Sequence, residues 1–308
     1  MSKKFLLIFL VAALLLPGCS NSSEPTYAPI AVTTKSNDTI EHVDRVDKDD
    51  ESEEVDLEEL PIDPPYNFDI DSMKASDFGA FESNYGSTTS TYKIMSGDDI
   101  CEHEVTVIKG RANGPSVYVI AGIHGDEEAA WRAGNLLKKV SIKAGTLYVL
   151  SPANNPGSKT HKRKIDGVDP NRVWPGNSNG NAAERNAAGI FADVKDKKPD
   201  FVFDLHEARI VRADGDSLAS SITYTTLDNW PDGLYFDFMA DTEAGLVTTK
   251  PFHSDSPSPS KSVNESISTK LNIPTVTVET FRGYQMKDRL TDQLAVVEYV
   301  LQYFRMVD

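Results

Sequence analysis

The distribution of apolar and polar positions along the chain predicts alternating β-strands and α-helices after about residue 78. Short apolar runs such as Val117-Tyr-Val-Ile-Ala-Gly122 are typical of buried strands, and 287–304 carries apolar residues at helical spacing. The predicted strands cover 117–122, 146–150, 201–205, 221–225 and 274–278, and the predicted helices cover 127–139, 183–194, 233–246 and 287–304. This alternation predicts an α/β fold, with helices on both faces of one sheet, in a single domain of residues 78–308. The Ser- and Pro-rich stretch 253–268 is expected to be a surface loop or a flap.

The N-terminus has the pattern of a bacterial lipoprotein signal peptide. Lys3 and Lys4 precede an apolar run, 5–16, that is too short to remain in a bilayer as a spanning helix. Leu16-Pro17-Gly18-Cys19 matches the lipobox, so we expect residues 1–18 to be removed and Cys19 to be lipidated. The protein would then be extracytoplasmic and anchored to a bacterial membrane by lipid. An ordinary secretory signal that happens to contain a Cys is the alternative.

Residues 19–77 are predicted to form a disordered acidic tether, because their apolar residues are scattered singly among Ser, Thr, Asp, Glu and Pro. Between Glu41 and Asp63 there are twelve acidic and two basic residues, so most of the chain's net charge of −16 lies in this segment. An acidic docking site for a basic partner is the alternative. The negative charge argues against a nucleic-acid partner, which requires a basic face.

Histidine and glutamate residues that could bind a metal or transfer protons stand at the ends of three predicted strands. His124-Gly-Asp-Glu127 follows the first strand, His206 follows 201–205, and Glu279 follows 274–278. Because ligands in open α/β sheets bind beyond the carboxyl ends of the strands, we expect these side chains to converge. Two His and one Glu suit a catalytic zinc that keeps one position open. Taken singly, each residue is equally compatible with an ordinary turn or surface position.

Neighbouring polar residues extend this candidate site. Asp204 shares a strand face with His206 and is expected to orient it, or alternatively to bond backbone amides. Asn171 and Arg172 are suited to gripping a substrate carboxylate. Arg163 is a candidate for stabilising an oxyanion, although its neighbours Lys159, Lys162 and Lys164 also fit a solvated basic run.

As an ordered set, these motifs resemble the zinc carboxypeptidase superfamily and, within it, the succinylglutamate desuccinylase/aspartoacylase branch. The resemblance covers 116–304. The motifs that carry it are His124-Gly-Asp-Glu127, Pro152-Ala-Asn-Asn-Pro156, Asp169-Pro-Asn171-Arg172, Trp174-Pro-Gly176, Asp204-Leu-His206 and Val278-Glu279. It implies a mixed sheet with helices on both faces and one zinc ion per chain.

The resemblance also implies roles for individual residues. His124, Glu127 and His206 would bind the zinc, Glu279 would be the general base, and Arg163 would be the oxyanion arginine. Asn171 and Arg172 would hold the substrate carboxylate. The chain departs from the family pattern at Pro170, where Leu is more usual, and no site tyrosine is assignable, with Tyr224 and Tyr284 as candidates.

The leading functional hypothesis is therefore a lipid-anchored, zinc-dependent metallopeptidase of the carboxypeptidase type that hydrolyses an amide near a substrate carboxylate. The first alternative is an N-acyl-amino-acid deacylase, which the branch resemblance favours, whereas the signal peptide favours peptides outside the cell. The alternative from another class is a cell-surface lipoprotein that binds its ligand without turnover.

Overall fold

Eight strands form one mixed sheet in the residues that the computed structural model describes, namely 63–98, 100–209 and 220–308. The strands are β1 (Thr88–Ile94), β2 (His103–Lys109), β3 (Ala112–Ala121), β4 (Ala144–Leu150), β5 (Phe201–Ala208), β6 (Ser220–Thr223), β7 (His253–Asp255) and β8 (Thr275–Phe281). Their order is β1-β2-β4-β3-β5-β8-β6-β7. The central strands β4, β3, β5 and β8 run parallel, so the carboxyl ends of β3, β5 and β8 lie at the same edge.

Helices cover both faces of this sheet, as the sequence predicts. They are α1 (Glu128–Leu137), α2 (Asn155–Thr160), α3 (Ala182–Lys197), α4 (Leu234–Glu243), α5 (Val263–Leu271) and α6 (Met286–Tyr303). Helices α1, α4 and α6 share a core with Val117 and Val119, whereas α3 and α5 share another with Tyr118 and Ile120. Alternate residues of β3 thus enter opposite cores, because successive side chains of a strand point to opposite faces. The α/β fold, with one mixed sheet in a single domain, is confirmed.

Every predicted strand and helix is present, but five elements are missing from the prediction. The stretch 253–268 is not simply a loop, because β7 covers His253–Asp255 and α5 begins at Val263. Helix α5 buries Asn264, Ser266 and Ser268 along with two apolar residues, so it has little of the apolar periodicity that marks a helix. Strands β1 and β2 and helix α2 are the other three.

The N-terminal strap, residues 63–81, packs on the catalytic domain and corrects the predicted end of the disordered tether at residue 77. It contains two short 3-10 helices, Ile70–Ser72 and Ala75–Phe78, whose Ile70 and Phe78 are buried in the core of α1 and α6. The scattered apolar residues that suggest disorder are the ones that anchor this strap. The signal peptide, Cys19 and the tether up to residue 62 lie outside the described residues. Within the described ranges, none of the helices is both long and apolar enough to cross a bilayer.

Candidate active site

The structure brings the three predicted metal ligands together at the carboxyl edge of the sheet. His124 lies in the loop after β3, Glu127 directly precedes α1, and His206 lies on β5. One ligand atom from each side chain lies within 4.8 Å of the others. All three residues are at most 2 % exposed, so they form an enclosed cluster rather than a group of surface charges.

Both imidazoles direct the same ring nitrogen at the carboxylate of Glu127. Nδ1 of His124 lies 2.7 Å from Oε1, and Nδ1 of His206 lies 2.8 Å from Oε2. Burial alone would raise the pKa of the Glu127 carboxyl, but the two imidazoles outweigh burial and hold this pKa well below its ordinary value. Glu127 therefore stays anionic at the centre of the cluster.

The other nitrogen of each imidazole faces a carboxylate. Nε2 of His124 lies 3.0 Å from Oδ1 of Asp169, and Nε2 of His206 lies 3.0 Å from Oδ1 of Asp204. Burial raises the pKa of Asp169, but His124 and Arg163 outweigh it and lower that pKa. The hydrogen bond to Asp169 can thus fix the His124 ring with Nδ1 turned toward Glu127, whereas Asp204 lies within ion-pair distance of His206.

The donor set fits a divalent metal ion. Two imidazoles and one carboxylate form a characteristic ligand set of catalytic zinc sites. Metal-binding His residues usually donate the second ring N–H to a carboxylate or carbonyl, and Asp169 and Asp204 occupy those positions here. His124, Glu127 and His206 are therefore the residues that would hold the metal.

Asp169→Asn is expected to weaken zinc binding by about 10–100-fold, because it replaces the carboxylate that faces His124 with a neutral amide. Competition with a chelator of known affinity measures this change. Asp166→Asn serves as the control, since Asp166 is an exposed aspartate of the same loop. Equal zinc affinity of the Asp169 variant and the wild type would show that Asp169 does not orient the ligand.

Glu279 lies beside this cluster, on β8. It is the register partner of His206 across the β5–β8 pair. Burial raises the pKa of Glu279 to about 8, with the carboxylates of Glu127 and Asp204 adding to the effect while His206 and Arg163 oppose it. The side chain lines the same cleft as the three candidate ligands.

Arg163, Asn171 and Arg172 also reach this cleft. Nη1 of Arg163 donates to Oε1 of Glu127 at 2.8 Å, so this arginine belongs to the site rather than to a solvated basic run. The Asn171 amide oxygen accepts a bond from Val263 N at 2.8 Å, which leaves the amide nitrogen on the side of His206. Arg172 donates from Nη1 to the Asn171 carbonyl at 2.8 Å and lines the cleft.

The cleft has a volume of about 450 Å³, which is suited to a small organic substrate. Its remaining lining includes Arg209, Thr223, Asp255, Ser262 and Thr277. Among the described lining residues there is no tyrosine. Tyr224 packs instead against Trp230 and Tyr235, and Tyr284 packs against Phe281.

Several supporting residues are absent from the sequence-based site. Asp169 is the first residue of the motif that supplies Asn171 and Arg172, and its position in that motif is the only sequence signal for it. Asn264 on α5 donates to Thr277 Oγ1 at 3.2 Å, and Thr277 donates to Asp204 at 3.3 Å. Helix α5 therefore supports Asp204 and Asn171 from one side of the site.

Gly125 allows α2 to approach the metal-ligand turn. A Cβ at this position would lie 2.1 Å from the carbonyl carbon of Gly157, which belongs to the backbone of α2. Asn154, which caps α2, donates to the carbonyl of Arg163 at 3.1 Å. The small residue in His124-Gly-Asp-Glu127 thus permits the packing that brings Arg163 to Glu127.

This fold and this cluster define the class of the protein, the zinc carboxypeptidase-like superfamily of hydrolases. The sequence profile of the succinylglutamate desuccinylase/aspartoacylase catalytic domain matches residues 113–302. The chain belongs to that family, as the ordered motifs predict. The match supports an amide hydrolase, and it supports the deacylase alternative better than the leading peptidase hypothesis. No curated protein matches the chain in sequence.

Solved structures show the same fold at low identity. A succinylglutamate desuccinylase/aspartoacylase from Rhodobacter sphaeroides is 17% identical with a TM-score of 0.50, covering 74% of this chain and 68% of its own. The product-bound ectoine utilization protein EutE (DoeB) from Ruegeria pomeroyi is 17% identical with a TM-score of 0.51, covering 72% and 68%. Tripeptide-bound cell shape determinant Csd4 from Helicobacter pylori is 16% identical with a TM-score of 0.56, covering 67% and 56%.

Proposed function

We propose that the protein is a zinc-dependent deacylase that hydrolyses the amide bond of an N-acyl amino acid bearing a free carboxylate. The observation that carries this proposal is one cleft that holds the buried His124–Glu127–His206 cluster together with Glu279 and Arg172. The family match favours this activity over that of a carboxypeptidase.

Glu279 is the proton carrier of the proposed reaction. It accepts a proton from the water that attacks the amide carbon, and it then donates this proton to the nitrogen as the carbon–nitrogen bond breaks. The products are a carboxylic acid and a free amine. A zinc ion at the site would polarise the carbonyl and acidify the water. Arg163 would stabilise the negative charge that develops on the carbonyl oxygen, and its contact with Glu127 supports this role.

Arg172 and Asn171 are the proposed carboxylate-binding residues. A guanidinium can bind a carboxylate through two parallel hydrogen bonds, and an amide nitrogen can add a third. The contact between Asn171 and Val263 fixes the direction of that amide, because its oxygen is already occupied. The substrate carboxylate would thus lie on the side of the cleft that faces His206, to which the amide nitrogen is turned.

Arg172→Ala is expected to raise KM for a carboxylate-bearing substrate by about 10–100-fold, the loss expected for one or two charge-assisted hydrogen bonds. Kinetics on a matched pair of substrates, one with the free carboxylate and one with a primary amide in its place, measures the effect. The KM for the amide analogue should be almost unchanged. If KM rises equally for both substrates, Arg172 does not bind the carboxylate.

Hydrolysis of extracytoplasmic peptides is the second candidate function, and the lipobox around Cys19 favours it, although it lies outside the described residues. A mass-spectrometric screen of N-acyl amino acids and short peptides distinguishes the two candidates. We expect faster release of amino acids from the N-acyl substrates. Preferential cleavage of peptides would support the second candidate, and ligand binding without turnover of any substrate would support a non-catalytic lipoprotein.

A further inference from the structure

A partly buried charge cluster connects the N-terminal strap to the residues beside two of the metal ligands. Three carboxylates in it face three guanidinium groups. The members of this Asp63 cluster are Asp63, Asp126, Glu207, Arg209, Arg282 and Arg289. Asp63 belongs to the strap and precedes the family-matched region, 113–302, by fifty positions. The proposed mechanism uses none of these six side chains.

Asp63 binds two arginines at once. Its Oδ1 and Oδ2 accept from Nε and Nη2 of Arg282 at 3.2 and 2.6 Å, which is the two-bond geometry that fixes a guanidinium. Its Oδ1 also accepts from Nη1 of Arg289 at 3.1 Å. The pKa of Asp63 is lowered, because these arginines outweigh the burial that would raise it.

Arg289 links Asp63 to Glu207, the residue next to His206. Its Nη1 donates to Oε1 of Glu207 at 2.7 Å, and only 1 % of Arg289 is exposed, so water does not screen this ion pair. Oε2 of Glu207 accepts from Ala129 N of α1 at 2.7 Å, and the Glu207 amide donates to Oε2 of Glu127 at 3.1 Å. Glu207 thus holds both its own strand and the start of α1 in place.

Arg282 links Asp63 to Asp126, the residue next to Glu127. Its Nη1 donates to Oδ2 of Asp126 at 3.1 Å, and Arg209 binds the same oxygen. Through its two arginines, Asp63 therefore reaches Asp126 and Glu207, which each adjoin a candidate metal ligand. This arrangement differs from a simple surface ion pair, because the two arginines that Asp63 binds, and both of these carboxylates, are largely buried.

We propose that Asp63 is a positioning residue of the metal site, so that the N-terminal strap contributes to zinc binding by the enzyme. Asp63 supplies the third negative charge that balances the three guanidinium groups of the cluster. This balance lets Glu207 and Asp126 hold β5 and the start of α1 at the spacing that the ligands need. Without it, the cluster keeps three guanidinium groups against two carboxylates, and the positive excess lies beside a site that must bind a dication. The proposal rests on the proposed function, since it presumes that the cluster of His124, Glu127 and His206 binds zinc.

Asp63→Asn in the full chain tests this role. We expect the zinc affinity, measured by chelator competition with zinc as the only added metal, to fall about 10-fold, at the lower end of the effects of residues that support metal ligands. The kcat of the zinc-saturated variant should fall while its KM stays within about twofold, since Asp63 does not line the cleft. Asp63→Glu, which restores the carboxylate, should recover most of the affinity.

Asp71→Asn is the matched control. Asp71 lies on the same strap and binds Arg132 at 2.9 Å, but its side chain is 77 % exposed. We expect wild-type zinc affinity for this variant, whereas a general effect of the strap on stability would reduce both variants alike. If Asp63→Asn does not fold, Arg289→Lys replaces it, because a lysine keeps the charge but cannot bridge Asp63 and Glu207 with the same geometry.

The outcomes separate this inference from the proposed function. Zinc affinity of Asp63→Asn equal to that of the wild type and of Asp71→Asn would overturn the positioning role alone. An equal fall in zinc affinity in Asp63→Asn and in Asp71→Asn would also overturn this role. A wild-type protein without zinc affinity would overturn both the inference and the proposed function.

Discussion

Glu279→Gln is expected to lower kcat by about 10²–10⁴-fold, because glutamine cannot carry the proton from water to the leaving amine. The zinc content should not change, since the glutamine is nearly isosteric and the three ligands remain. Steady-state kinetics on the best N-acyl amino acid, together with elemental analysis of the same preparation, measures both quantities. The KM should change little, because Glu279 is not among the proposed carboxylate-binding residues.

Glu104→Gln is the control for this result. Glu104 is an exposed residue of β2 in the same sheet and binds only Thr91 in the described contacts, at 3.3 Å. Its replacement should leave kcat unchanged. Undiminished turnover by Glu279→Gln would remove Glu279 from the mechanism, and a loss of turnover together with zinc would assign it to metal binding instead.

His206→Ala is expected to lose both zinc and activity. The side chain supplies one of the three candidate ligands found among the described residues, so the loss of affinity should exceed the roughly 100-fold upper range of residues that merely support ligands. Because a ligand that binds only the folded state stabilises it, wild-type protein should melt at a higher temperature in added zinc, and this shift should vanish in the variant. Thermal melts at increasing zinc concentration measure it.

His253→Ala provides the comparison, since His253 is exposed on the edge strand β7. It should retain the full zinc-dependent rise in melting temperature. A similar rise in His206→Ala would show that zinc binds elsewhere in the chain.

The sequence predicts the sheet and its main helices because the central strands are continuous apolar runs separated by amphipathic helices. Burial on both faces explains the runs in β3 and β5, whose side chains enter two cores. The prediction misses β1 because this edge strand is mostly exposed and rich in Thr and Ser. It misses α5 because Asn264, Ser266 and Ser268 occupy positions that periodicity reserves for apolar residues.

The candidate ligands and Glu279 are predictable because they stand near the carboxyl ends of recognisable strands, and parallel strands carry these ends to one edge. His206 and Glu279 lie on β5 and β8 themselves, because both strands extend beyond their predicted ends. The role of Asp169 is not predictable in this way, because it depends on the direction of the His124 ring in the folded chain.

The contribution of Asp63 is even harder to predict from the sequence, since this residue lies in a polar segment whose composition indicates disorder. Only the fold shows that its partners are Arg282, which directly follows β8, and the buried Arg289 of α6.

Anomalous diffraction at the zinc absorption edge, from crystals of the zinc-loaded wild-type protein, tests the central claim most directly. We expect one strong peak per chain, about 2 Å from Nδ1 of His124, Nδ1 of His206 and the carboxylate of Glu127. A peak at other residues, or no peak in protein that hydrolyses its substrate, would contradict the assignment of this cluster as the catalytic metal site.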